Sequence, residues 1–437
     1  MNEVTGSAAP AAEASRSLSA PGLAVVLPLV LIVSLFFLWG VANNLNDILI
    51  AQFKKVFSLT DFQSGLVQSA FYFGYFCFSI PAAIFMQRLG YKAAVVTGLC
   101  LFGLGAFLFF PAAQLQEYHF FLGALFIIAS GLAFLETSAN PLIVVMGDPL
   151  TAERRLNFAQ SFNSLGAISG ALIGREFILS GIEHTAADRA VMSAAELAAY
   201  NQMEAHAVQG PYLVLGSIVL LWAFLVLVVA FPAIARKPAS AGGTTGSLAD
   251  FRALFAHKLF LFGVVAQFFY VGAQVGVWSF MIRYGQHALP GTGEKTAASY
   301  LTWSLVAFMV GRFVATALMG RIKPARLMVA FSLINILLCS VAIFSPSHLG
   351  LLALASTSFF MSLMFPTIFA LAVRDLGPLT KAGSSFLIMS IIGGAVLTAV
   401  MGQISDMSAI NFAIAVPLVS FAVIGWFAST ASVRHSN

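Results

Sequence analysis

Two acids and a small set of amides stand where this chain has least room for them. Asp47 closes the stretch Trp39-Gly-Val-Ala-Asn43-Asn44-Leu-Asn46-Asp47, and apolar residues enclose it from Leu23 to Phe37 and from Ile48 to Ala51. A carboxylate in hydrocarbon costs about 2.5–3.5 kcal/mol even on the lenient insertion scale. Such a group faces a wet cavity or a partner, unless it snorkels to water from the end of a tilted helix. Glu136, in Gly131-Leu-Ala-Phe-Leu-Glu-Thr-Ser-Ala-Asn-Pro141, is the second deep acid, with Asn140 one turn further along the same helical face. Burial disfavours the ionised form of a carboxyl, so a group placed there can take up and release a proton as its surroundings change. The competing role is a structural carboxyl hydrogen-bonded to a neighbouring helix. Two acids in separate spans favour proton traffic.

The amides suit a polyhydroxylated ligand. Gln160 and Asn163 are three residues apart and share a face. An amide donates and accepts, as a sugar hydroxyl does; interhelical hydrogen bonding is the alternative use. Gln267, Gln274 and Trp278 recur at i, i+7 and i+11, with Tyr270 beside the stripe. Trp39, next to Asn43, offers a second flat face. Sugars present C–H faces as well as hydroxyls, and an amide-plus-aromatic lining fits both, although either tryptophan also fits simple packing or an interface anchor. Arg312, in Val310-Gly-Arg-Phe-Val314, is a lone cation inside a span. It suits a carboxylate partner, a fork for substrate, or a structural contact near the inner end of its helix.

The elements that must position these residues are membrane helices. The chain is 59% hydrophobic and 9% charged, with a mean hydropathy of +0.92; soluble domains carry about 25% charged residues. Apolar runs long enough to cross a bilayer are expected at 23–51, 62–86, 93–113, 120–146, 156–179 and 212–231, and again at 259–284, 297–320, 327–345, 349–373, 383–401 and 412–428. The expected architecture is therefore all-α and integral to the membrane, with twelve transmembrane helices in two six-helix halves. Its expected divisions are a disordered tail over 1–22, a first half over 23–232, a Pro/Gly/Ser-rich linker over 233–258, a second half over 259–430 and a tail over 431–437.

Lys and Arg gather in alternate loops, at Arg88, Lys92, Arg154, Arg155, Arg321 and Lys323, whereas the opposite loops hold only Lys54, Lys55, Arg189 and Lys295. That bias places both termini in the cytoplasm. The outside segment Gly181–Gln209, with Glu183, Asp188, Glu196 and Glu204, reads as an acidic cap containing a short helix.

The halves read as diverged copies. Arg88-Leu-Gly-Tyr-Lys92 corresponds to Arg321-Ile-Lys-Pro-Ala-Arg326, Asn140-Pro141 to Phe365-Pro366, and the start of the fifth span to the start of the eleventh. Parallel-repeat transporters bind substrate at mid-membrane between such halves. No carboxylate in the second half answers Asp47 or Glu136, so polar chemistry is concentrated in the first. Pro141 lacks the N–H that would close a helical hydrogen bond, which frees a carbonyl and favours a kink in the helix. Cys77, Cys100 and Cys339 lie in apolar runs and suit packing, with no metal or disulfide spacing. No phosphate-cradling glycine loop and no nucleophile arrangement is present, against an ATP-driven pump or an enzyme. No soluble segment is large enough to bind nucleic acid.

Four stretches carry a resemblance. Phe37-Leu-Trp-Gly-Val-Ala-Asn-Asn-Leu-Asn-Asp-Ile-Leu49, Gln68-Ser-Ala-Phe-Tyr-Phe-Gly-Tyr75, Leu135-Glu-Thr-Ser-Ala-Asn-Pro141 and Arg155-Leu-Asn-Phe-Ala-Gln-Ser-Phe-Asn-Ser-Leu-Gly166 closely resemble the L-fucose–proton symporter family of the major facilitator superfamily, as do Tyr270–Gln274, Trp278, Pro366–Phe369 and Gly383–Phe386. The resemblance implies alternating access and uptake of L-fucose, or a related monosaccharide, with a proton. No cofactor is implied, since the proton is the coupling ion. The family's proton-handling pair maps onto Asp47 and Glu136, and its polar cavity residues onto Gln160 and Asn163. Trp39, Asn43, Gln274, Trp278, Arg312 and Phe365 are the further candidate sugar contacts. Phe365 stands where the family is expected to carry Tyr, and Gln87 where an Asp is usual before Arg88. The remaining expectations are a monomer in the bilayer of a bacterial inner membrane, and, as rivals, a glucose/galactose carrier of the same fold or a nontransporting membrane sugar sensor.

Overall fold

The computed structural model describes residues 23–57, 61–146, 148–178, 191–231, 248–292 and 294–434. The expected N-terminal tail and most of the expected linker lie outside them, as does the side chain of Asp47, whose backbone is helical. All regular structure among the described residues is helical, because a bilayer core leaves an apolar segment no partner for its backbone other than itself.

The first half comprises α1 (Leu23–Val56), α2 (Asp61–Leu89), α3 (Tyr91–Leu115), α4 (Tyr118–Val145), α5 (Ala152–Phe177), a short α6 (Ala194–Ala207) and α7 (Gln209–Val228). A short α8 (Leu248–Leu254) precedes the second half, which begins with α9 (Lys258–Ala288), α10 (Glu294–Leu318) and α11 (Pro324–Phe344). The last three crossings are interrupted. They run as α12 (His348–Met361) and α13 (Met364–Val373), then α14 (Thr380–Met389) and α15 (Gly393–Met407) around a 3₁₀ turn at Ser390–Ile392, then α16 (Ile410–Ala413) and α17 (Ala415–Arg434). Among the described residues, eleven crossings are long and apolar enough to span a membrane. The twelfth is α5, whose length of 26 residues suffices but whose Asn157, Gln160 and Asn163 lower its hydropathy. The expected twelve-helix architecture is what the structure has; the breaks in the tenth to twelfth crossings were not foreseen.

Within the first half α1 lies along α5 and α3 along α4. The α1/α5 crossing is close because Gly40, Gly166 and Gly170 leave backbone against backbone: a Cβ on Gly166 would strike the Phe37 carbonyl, and one on Gly40 the Asn163 carbonyl. Small residues allow the van der Waals contact that drives helix association in lipid. The α2–α3 turn passes through Gly90 at φ 88°, a left-handed conformation that suits glycine. The expected short helix of the acidic cap is α6, opened by a capping box between Ser193 and Glu196. It is fastened to α1 by Gln52, which donates to the Glu204 carboxylate at 2.7 Å and to the Glu204 carbonyl at 3.0 Å.

The halves meet along α2 and α14, α4 and α14, and α5 with α10 and α13. The basic loops 88–92 and 321–326 lie at one end of the bundle, and α6 lies at the other.

Candidate functional site

Glu136 is 6% exposed, and α4 presents it to α2, where the Tyr75 hydroxyl donates to its Oε1 at 2.8 Å. A hydrogen bond to an ionised partner is stronger than a neutral one. One turn on, Asn140 Nδ2 donates back to the Glu136 carbonyl at 3.0 Å, and its Oδ1 accepts from Gln160 Nε2 of α5 at 3.0 Å. The Gln160 carbonyl in turn accepts from the Arg312 guanidinium of α10, across the boundary between the halves. Arg312 is 3% exposed and lies 4.6 Å from the centre of the Phe308 ring. A polar chain thus runs from the backbone carbonyl of Glu136 in one half to a buried cation in the other, while the Glu136 carboxyl itself is held by Tyr75 and makes no ion pair with Arg312.

The prolines explain where this chain is anchored. An α-helical carbonyl at i−4 is orphaned by a proline at i. Pro366 orphans the Ser362 carbonyl, at the break between α12 and α13, and Arg312 Nε donates to it at 2.9 Å. Pro141 orphans the Thr137 carbonyl in α4, and Ser384 of α14 places its hydroxyl 3.0 Å from it, sharing the proton with the Lys381 carbonyl at 2.8 Å. Repeat-related prolines have therefore exposed acceptors that hold the halves together: one directly, the other through the arginine that also reaches Gln160.

Further ties lie toward the basic end. Asn157 Nδ2 donates to Thr367 Oγ1 at 3.0 Å, Glu153 pairs with Arg374 at 3.7 Å, and the Lys381 ammonium sits 4.9 Å from the Tyr91 ring centre. Each of these ties lies on the basic-loop side of Glu136 or level with it.

The expected sugar contacts distribute unevenly. Asn163, half-buried, donates to the Phe36 carbonyl at 3.3 Å, and the buried Oδ1 of Asn43 has no hydrogen-bond partner. Gln274 is half-buried on α9, one turn from Trp278. Trp278 donates to Ser358 Oγ at 3.0 Å and meets Phe308 edge-on at 5.1 Å. Phe365 packs against Tyr270 with ring centres 6.1 Å apart, and the Tyr270 hydroxyl lies beside Arg312 without completing a well-formed hydrogen bond. Trp39 is 2% exposed and its ring centre is 4.1 Å from that of Phe36; in this structure it fills the core and presents no open face. Glu136, Gln160 and Arg312 are brought together. Asp47 is not placed among them, because its side chain lies outside the described residues.

Sequence reasoning did not single out Tyr75 or Ser384, and of the two orphaned carbonyls it noted only that Pro141 frees one, without its partner. Counting four residues back from each proline names Thr137 and Ser362; their partners are readable only in three dimensions. If the Ser384 hydroxyl is recruited by Pro141, Ser384→Ala lowers stability by about 0.5–1.5 kcal/mol. The loss shrinks in a Pro141→Ala background, where the Thr137 carbonyl regains its helical N–H. Thermal melts of the four purified proteins in a double-mutant cycle test this, and strict additivity would leave the proline without the assigned part.

Residues 29–397 match the family model of the Major Facilitator Superfamily. The "L-fucose-proton symporter" of Escherichia coli (strain K12) is 46% identical over 414 residues, 94% of this chain and 94% of that protein. The "Glucose/galactose transporter" of Brucella abortus biovar 1 (strain 9-941) is 35% identical over 396 residues, 90% of this chain and 91% of that protein. Among solved structures, that of a Major Facilitator Superfamily transporter, FucP, in the outward conformation superposes with a TM-score of 0.87 at 46% identity, over 93% of this chain and 99% of that one.

Proposed function

The chain belongs to the L-fucose–proton symporter family of the major facilitator superfamily, and on that footing we propose that it imports L-fucose, or a closely related monosaccharide, together with a proton. The observation that carries this reading is Glu136: a deep acid whose carboxyl is held by a neutral hydroxyl, on a residue whose backbone carbonyl begins a polar chain to the opposite half.

In the proposed cycle the cavity first opens at the α6 end while the ties at the basic end stay closed. A proton neutralises Glu136, which removes the cost of enclosing a charge. The sugar is held by the amides of Asn43, Gln160, Asn163 and Gln274 and by the face of Trp278, with Phe365 as an apolar wall. Closure above the sugar then draws the halves apart below it, and both ligands leave. Asp47 is the second proton-handling group. Trp39 belongs to the sugar site only in a state that exposes its ring. The Lys/Arg bias supports the basic end and both termini in the cytoplasm of a bacterial inner membrane, with the chain acting as a monomer. The division into halves over 23–232 and 259–430 with a linker between them goes with this reading.

Proteoliposomes with an acidic exterior and a panel of labelled L-fucose, D-galactose and D-glucose test it. L-Fucose is expected to accumulate, and a protonophore to abolish the gain. Uptake indifferent to the pH gradient would sink the symport. Preference for glucose or galactose would move the chain toward the relatives at 35% identity. Tyr75→Phe is a sharper probe. It removes the hydroxyl that donates to the Glu136 carboxyl at 2.8 Å and leaves the ring in place. The dependence of uptake on external pH is expected to change, through the loss of about 1.5 kcal/mol of hydrogen bonding at that carboxyl. An unchanged profile would reduce Tyr75 to packing.

A further inference from the structure

A groove of about 560 Å³ runs down the outer flank of the second half between α10 and α12, opening at the end that carries α6. Tyr300, Trp303 and Ala307 form one wall, and His348, Leu352 and Ala355 the other. It is separate from the site above: Ser304 and Ser358, which join α10 and α12 on the side toward Trp278, point the opposite way. Its two ends differ chemically. At the mouth, His348 Nε2 is 3.0 Å from the Tyr300 hydroxyl, with Ser299 and Thr296 alongside. Further down the lining becomes Ala307, Leu352, Ala355 and Ser356, whose hydroxyl donates back to the Leu352 carbonyl at 2.7 Å, and Ala307 lies roughly 20 Å along α10 from its first residue. The groove thus descends from the interface well into the hydrocarbon layer.

Its surroundings identify what can enter. Val310, Phe313 and Val314 on α10, and Leu349 and Leu352 on α12, are exposed, so the groove is continuous with the surface that meets the acyl chains. Trp303 is 69% exposed beside it, in the position that amphipathic rings take near the membrane–water boundary. A free sugar would reach this flank only through lipid. We propose that the groove holds one glycerophospholipid of the leaflet on the α6 side. One acyl chain lies against Ala307 and Ala355, and the phosphodiester accepts hydrogen bonds at the mouth from the His348–Tyr300 pair and the neighbouring hydroxyls. A lipid wedged there braces α10 against α12, the helices that carry Arg312 and, at its C-terminal edge, the Ser362 carbonyl.

The test is retention of phospholipid by the full chain purified in mild detergent, read by native mass spectrometry. Wild type is expected to keep one glycerophospholipid, and Ala307→Phe/Ala355→Phe, which fills the groove, to lose at least four-fifths of it. Because that variant can misfold, His348→Leu/Tyr300→Phe is run beside it; it leaves the groove open, strips the mouth, and is expected to weaken retention without changing the elution profile. Adding back phosphatidylethanolamine is expected to raise the melting midpoint of wild type by mass action and not that of the filled variant. Equal retention by wild type and both variants, or no retained lipid in wild type, would overturn the proposal.

Discussion

Glu136→Gln is expected to abolish uphill uptake while leaving exchange of labelled for unlabelled sugar within a few-fold of wild type. The substitution keeps the volume and the acceptor for Tyr75, whose hydroxyl sits 2.8 Å from the carboxyl oxygen, and removes the proposed proton site alone. One pH unit is worth about 1.4 kcal/mol per proton, or roughly tenfold accumulation for one proton per sugar. Wild type in vesicles with a one-unit inward gradient should approach that ratio, and the variant should stop near equilibration. The two assays together separate coupling from binding. Retained accumulation in Glu136→Gln would transfer the coupling role elsewhere, with Asp47 the next residue to test by Asp47→Asn.

Arg312→Met is expected to cost at least tenfold in transport rate and to lower the melting midpoint. The guanidinium satisfies the Ser362 carbonyl at 2.9 Å and the Gln160 carbonyl across the halves, and both acceptors are buried. Leaving a buried acceptor unpaired costs about 1–3 kcal/mol, and about 2.8 kcal/mol displaces a two-state equilibrium a hundredfold. The state with the basic end closed is the one that loses. Cysteine reporters placed in the tie at Asn157 and Thr367, which are 3.0 Å apart here, should become more reactive in the variant. Arg312→Lys is expected to restore little, since an ammonium keeps the charge but lacks the planar fork that serves two acceptors at once. Wild-type rate and reporter reactivity in Arg312→Met would leave the arginine as packing against Phe308.

The twelve crossings, the two halves and the depth of Glu136 were determined by the sequence alone. Bilayer thickness sets a minimum apolar length, and a charge inside such a run stands out against its background. The same logic read Gln160 and Asn163 as one face and placed both prolines in register between the repeats. Arg312 was legible as an anomaly, and its three candidate roles were equally open.

Tertiary structure decided among them, because a helix period says which residues share a face but not which helix that face meets. It set Arg312 against Gln160 of the other half, paired Glu136 with Tyr75, and seated Ser384 beside the carbonyl that Pro141 releases. It also buried Trp39 against Phe36, where sequence allowed either packing or an open ring. A proline's chemistry creates an unpaired carbonyl locally, but only the approach of another chain segment, some 250 residues away in the case of Thr137 and Ser384, determines what answers it.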